Sequence, residues 1–341
     1  MPKRTVRRWA ALGDERLLNL RFADLDVKVE GSALEPLVHE VWGELEQRGL
    51  KFKPHVWVST EWFSPDGVPG IAAPFYLVHP RLLKLERSMM IEAEGSNREE
   101  CMMILRHEAA HAVQHAWRLQ RRDGWRRTFG NPSRPYPTIY RPNPASQRFV
   151  QHLRQYYAQA HPHEDFAETF AVWLTPESNW KARYAGWPAI KKLEYMDALM
   201  QSLVGKKPLL NHTEEVDPLR RLHRSLRYHY KKKRRHHGVD HPNFYDRDLR
   251  KLFSDAPEHA GNMTATQFLG RARREVRRVV ADWTGIYQYT IDKVLEDIVV
   301  RCRELKLRLA TPEEQALQEF TVLLTVQVMN YLHSGRHRVA L

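Results

Sequence analysis

Residues 106–117 read RHEAAHAVQHAW and place His107, Glu108 and His111 in the spacing HExxH. On a helix, residues four apart share a face, so both imidazoles can reach one ion while Glu108, one step round, points at water on that ion. Zinc lowers the pKa of its bound water to about 7, and a neighbouring carboxylate takes the proton as hydroxide attacks a carbonyl. The residue types and their spacing therefore suit metal-assisted hydrolysis, provided a third ligand exists. His115 continues the four-residue rhythm. It lies eight positions beyond His107, however, which at 1.5 Å per residue is about 12 Å along the axis, too far for bonds of about 2 Å to one ion.

A better third ligand lies farther along, in the stretch HPHEDFAETFAVWL over 161–174. Pro162 suits the first turn of a helix, and Glu164 and Glu168, four apart, share a face. One carboxylate can ligate the ion while the other accepts the free N–H of a ligating histidine and fixes its tautomer. His161 and His163 are further possible ligands at the helix start. Acidic residues in a first turn also complement the helix dipole, an alternative account of Glu164 and Asp165.

RHEAAHAVQHAW followed by YYAQAHPHEDFAETFAVWL resembles the bacterial zinc-binding metallopeptidases, and the helix pair is similar to the gluzincins, including the lethal-factor type. The resemblance implies that Glu164 is the ligand and Glu168 the carboxylate behind a ligating histidine. It also implies, from a tyrosine seven residues before the ligand Glu, that Tyr157 supports the transition state, where a preorganised phenol can donate to a developing oxyanion. Tyr157 could equally be an aromatic packing residue, and Tyr156 beside it leaves the register open. The likeness extends more loosely over 50–205 and implies that GIAAPFYL offers a strand edge to extended substrate.

Elements able to position these residues are legible around them. NLRFADLDVKVEG reads as strand-like and ALEPLVHEVWGELEQRG as an amphipathic helix ending at Gly49. KFKPHVWVST and GIAAPFYLVHP, separated by SPDGVPG, read as two strands of a small mixed sheet. A helix is predicted over 97–121, with Leu105, Ala109, Ala112 and Ala116 on one apolar stripe. Five prolines between 132 and 144 mark a long loop suited to a lid or binding role, and helical patterning resumes at Gln147 and after Pro162. Beyond Gly205 long charged helices are predicted over 217–237, 264–307 with interruptions, and 311–333, and Lys207, Pro208 and Asn211 read as a linker.

The 341 residues, 42% hydrophobic with mean hydropathy −0.61, suit a globular chain of two domains. Neither a membrane-spanning run nor a signal peptide is recognisable, so a cytoplasmic protein without membrane insertion is expected. Two cysteines, Cys101 and Cys302, cannot form a thiolate zinc site, leaving histidine and carboxylate as ligands. The net charge of +13 is concentrated locally: 206–250 hold thirteen Lys or Arg against six Asp or Glu. There, 219–237 could bind polyanions weakly, or could be a solvated helix packed by Leu219, Leu222, Leu226 and Tyr230.

These readings predict an α+β protein: a zincin-like metallopeptidase domain over 1–205 and a mainly helical, basic region over 206–341. The expected function is a zinc-dependent, gluzincin-like metallopeptidase, with Zn2+ on His107, His111 and Glu164. It would cleave a peptide or protein substrate by attack of zinc-bound water assisted by Glu108. The alternative is an inactive zincin-like protein that binds nucleic acid or another anionic partner through its basic region.

Overall fold

A computed structural model describes residues 7–137, 140, 142–237 and 246–333. The chain forms two units, one of residues 1–89 and 93–230, the other of 90–92 and 231–341. It is an α+β protein, mostly helical with little sheet. Among the described residues no helix is long and apolar enough to cross a membrane.

The first unit contains α1 (Glu35–Gln47), β1 (His55–Ser59), β2 (Gly70–Pro74), α2 (Pro80–Met90), α3 (Arg98–Ala116), α4 (Asp123–Phe129), α5 (Pro162–Leu174), α6 (Ile190–Gln201) and the start of α7 (Leu226–His237). The strands pair in parallel, Trp57 opposite Ala72. NLRF is not a strand: Phe22–Leu25 form a 3-10 turn, in which Asp24 accepts from the Arg21 amide at 3.2 Å. After Pro74 the chain turns to 3-10 at Phe75–Val78, so GIAAPFYL is strand only in its first half.

Helix α3 starts where the Asn97 side chain accepts from the Glu100 amide at 2.9 Å, a cap that satisfies one free donor. It stops at Trp117, after which Arg118 takes φ 50°. Leu105, Ala109, Ala112 and Ala116 are all buried, and the small side chains let α5 approach closely. From α5 come Phe166, Ala167, Phe170 and Ala171, also buried; each phenylalanine removed from water contributes about 1.5–3 kcal/mol. Arg106 grips Glu44 with two bonds of 2.8 and 2.6 Å, tying α3 to α1, and Lys192 of α6 meets buried Asp165 of α5 at 2.6 Å. Helical structure does not begin at Gln147: a 3-10 segment at Arg154–Gln159 precedes α5.

Residues 205–216 are predicted as a linker, yet the division between the units falls later, after Tyr230. The reason is a strap. The amides of Leu209 and Leu210 both donate to Ala116 O, at 2.8 and 3.0 Å, closing the C-terminus of α3. Trp57 then donates to Val216 O at 3.0 Å and Ser59 to Asp217 O at 2.8 Å. The predicted helix over 217–237 begins only at Leu226, because Pro218 and backbone bonds to Phe22 and Ala23 hold 222–224 extended. Leu226 and Tyr230, four apart, are buried from α7, whereas Leu219 is buried from a separate 3-10 turn at Leu219–Arg221, so the predicted stripe holds only in its second half.

The second unit is helical: α8 (Asp246–Leu252), α9 (Ala265–Thr284), α10 (Gln288–Glu304) and α11 (Glu313–His333), with the short pair β3 (Phe253–Ser254) and β4 (Arg308–Leu309) antiparallel. Gly285 at φ 71° ends α9 and divides the predicted helix over 264–307. Phe253, Phe268 and Phe320 lie in its core with Val276, Leu295 and Leu324. Of the basic stretch 219–237, the side chains of 235–237 lie outside the described residues.

Candidate metal centre

Helices α3 and α5 bring His107, His111 and Glu164 together. Glu164 Oε2 lies 2.9 Å from His107 Nε2 and 3.3 Å from His111 Nε2, and the two imidazole nitrogens are 3.2 Å apart. All three residues are buried, and among the described residues they form the one His/Cys/Asp/Glu grouping that could hold a metal ion. Two neutral-capable nitrogens and one carboxylate oxygen, converging without thiolate, are a donor set suited to zinc. The far side of His107 fits as well: Nδ1 lies 2.9 Å from Glu168 Oε1, which directs Nε2 at the cluster. Glu168 Oε2 is in turn held by the Leu153 amide at 2.8 Å, so the carboxylate has little freedom to swing.

Electrostatics follow from these contacts. Burial opposes charge on His107, but Glu164 and Glu168 outweigh it and push its pKa up to about 10. Burial likewise opposes charge on Glu164, yet His111 and His107 hold its carboxyl well below the usual range.

Glu108 sits one step round α3 and is also buried. Its Oε2 accepts from the Ser64 hydroxyl at 3.0 Å. Tyr157 places its ring 5.6 Å, centroid to centroid, from that of His107. Its phenol pKa is driven well above 10 by burial and then by the charge on Glu164, so it stays protonated. Tyr156 beside it has φ 56°, a left-handed conformation uncommon outside glycine.

The remaining histidines point elsewhere. His115 Nδ1 accepts from the Gly67 amide at 3.2 Å, and burial with the nearby His111 lowers its pKa to about 4. His163 Nδ1 receives the Gln114 side-chain amide at 2.6 Å, and His161 Nε2 meets Arg134 O at 2.6 Å. The strand edge expected to receive substrate is taken at Ala72, whose N–H and C=O both bond to Phe63, at 2.8 and 3.3 Å. The loop from 60 to 69 thus bonds to β2 through Phe63 and to α3 through Ser64 and Gly67.

Two contributors have no counterpart in the sequence reading. Ser64 reaches Glu108 from the turn SPDGVPG, and Tyr136, in the proline-rich loop, donates to Glu164 Oε1 at 2.7 Å. Burial of the hydroxyl, and then the charge on Glu164, hold the Tyr136 phenol well above its ordinary pKa of 10. Turn composition signals a loop at both places but not what its side chains will touch.

An α+β unit carrying a two-helix His/His/Glu cluster, with a glutamate beside the first histidine, has the ligand chemistry of a zinc-binding hydrolase. Comparison with known families agrees at that level. Residues 97–207 match the family described as "Putative zinc-binding metallo-peptidase", a stretch that spans α3, the proline-rich loop, α5 and α6. No curated protein and no solved structure matches the chain significantly.

Proposed function

We propose that this protein is a zinc-dependent peptidase of the gluzincin type, with a zincin-like catalytic domain acting on a peptide or protein substrate. The observation that carries the proposal is the convergence of His107 Nε2, His111 Nε2 and Glu164 Oε2 within a stretch that matches a zinc-binding metallopeptidase family. Those three residues would hold the ion, and Glu168 would keep His107 turned toward it. Zinc held there would polarise the scissile carbonyl and acidify water.

The other steps belong to the chain's own groups. Glu108 takes a proton from the attacking water and returns it to the departing amine nitrogen, so the C–O bond forms and the C–N bond breaks with no net proton change. Ser64 holds one Glu108 oxygen and leaves the other for that exchange. Tyr157, kept protonated, donates to the oxygen on which negative charge develops. Burial of the cluster excludes bulk water and strengthens each of these interactions.

Metal content and hydrolysis of a diverse peptide library test the proposal together. Wild-type protein is expected to hold one zinc per chain and to cleave. Glu108→Gln should keep the zinc and lose roughly 10²–10⁴-fold in rate, the usual contribution of a positioned base. Protein that takes up no stoichiometric zinc, or a Glu108→Gln variant as fast as wild type, would sink it. Polyanion binding through 219–237 is a second reading supported by exposed Lys231 and Lys232, but Arg220 and Arg227 are already paired with Glu215 and Glu15.

A further inference from the structure

We infer that Tyr136 is a positioning residue for the metal centre: its phenol fixes the Glu164 carboxylate with one oxygen turned toward His107 and His111. This rests on the zinc reading proposed above.

Glu164 has two oxygens with different surroundings. Oε2 faces the imidazoles, at 2.9 and 3.3 Å, whereas Oε1 accepts from the Tyr136 hydroxyl at 2.7 Å. Glu164 is the third residue of α5 after its cap, His161, a position from which a glutamate commonly turns back to the cap amide. A strong donor on Oε1 holds the carboxylate in the cluster orientation and leaves a single oxygen presented. A short hydrogen bond to an ionised carboxylate is about twice as strong as a neutral one, so this hold is substantial.

Tyr136 is itself braced, although 47% of the residue is exposed. Its ring stacks on His161, with centroids 3.8 Å apart and planes at 16°. The orientation of His161 is set from both sides. Its Nδ1 accepts from the His163 amide at 3.2 Å, so the ring proton sits on Nε2, which donates to Arg134 O at 2.6 Å. Arg134 and Tyr136 are two residues apart, so the loop is pinned to one imidazole through a carbonyl and through a ring. The cap of the ligand helix, the loop and the ligand carboxylate therefore form one connected brace, with the hydroxyl as its last link.

The experiment compares zinc affinity, by competition with a chromophoric chelator, in wild type, Tyr136→Phe and Tyr136→Leu. Phenylalanine keeps the ring on His161 and removes only the donor, and leucine removes both. Tyr136→Phe should bind zinc roughly 10–100-fold more weakly, the usual effect of removing a group that orients a ligand, while the zinc-free protein stays folded. Tyr136→Leu should lose at least as much. At saturating zinc the kcat of Tyr136→Phe should return to that of wild type, which a group acting on substrate would not allow. The inference is overturned if Tyr136→Phe holds zinc within about threefold of wild type, against the tenfold or more expected, or if its kcat stays low when zinc is saturating. Wild-type protein that binds no zinc would fail the metal reading itself, and with it this one, a result distinct from unchanged affinity in the variant.

Discussion

At the scale of single residues, three kinds of contact surround the cluster: carboxylates on imidazoles, hydroxyls on carboxylates, and backbone amides on what remains. The first kind was legible in the sequence, because a repeat of four on a helix fixes which side chains face together before any fold is known. His107 with His111, and Glu164 with Glu168, are such pairs, and helix rise likewise separated His115 from them. The second kind was not legible. Ser64 is 44 residues from Glu108, and nothing in SPDGVPG specifies that its hydroxyl rests on a carboxylate. Ser64→Ala should free that oxygen and lower kcat roughly tenfold, a fraction of what a well-positioned base supplies, with KM and zinc content unchanged. Ser64→Thr keeps the hydroxyl and should recover most of the rate; steady-state kinetics on the best library peptide give the answer, and an unchanged kcat in Ser64→Ala would leave the contact without catalytic meaning.

Elements were legible where periodicity and caps agree, and obscure where a segment is shaped by partners distant in sequence. The apolar stripe made α3 readable, and the folded chain adds the Asn97 cap at its start and, for α9, the reciprocal capping box of Thr264 with Gln267. By contrast, 217–225 has leucines at helical spacing, yet Pro218 and backbone bonds to Phe22 and Ala23 decide its shape. The parallel pairing of β1 and β2 also escaped the sequence, since two apolar runs do not encode their relative direction. Within the second unit, α9 and α10 are joined by Asp292, which accepts from Arg273 and from Arg277, the latter at 2.8 Å. Burial would raise the Asp292 pKa, but the two arginines outweigh it and hold it below the ordinary 3.8. A carboxyl depressed on folding stabilises fully above its unfolded pKa, and that stability is lost as pH falls through the folded value. Asp292→Asn should therefore cost about 2 kcal/mol at neutral pH, less than a fully buried pair because Arg273 is partly exposed. The gap between variant and wild type should close in denaturant titrations below the ordinary carboxylate range; a pH-independent gap would mean that packing, not charge, is what the substitution removes.

For the molecule as a whole, the division into two units sets which part of the chain can respond to metal. The sequence placed that division at a polar, proline-containing stretch, as linkers usually are, but 205–216 is where the first unit receives its last strap. Composition reports solvation, and a strap on a surface is as solvated as a linker. Every residue of the proposed zinc site lies in the first unit, and the second has its own core around Phe253, Phe268 and Phe320. A ligand that binds only the folded form stabilises by about 4 kcal/mol at a thousand times its Kd, and only the unit that holds it gains. Differential scanning calorimetry should accordingly show two transitions. Stripping zinc with a chelator should move one of them down by roughly 10 °C, given about 2–4 °C per kcal/mol for a unit of this size. The other transition should stay, and Glu164→Gln should abolish the shift while leaving both transitions visible. If both fall together on chelation, the units unfold as one, and the cooperativity of the chain extends beyond the two cores.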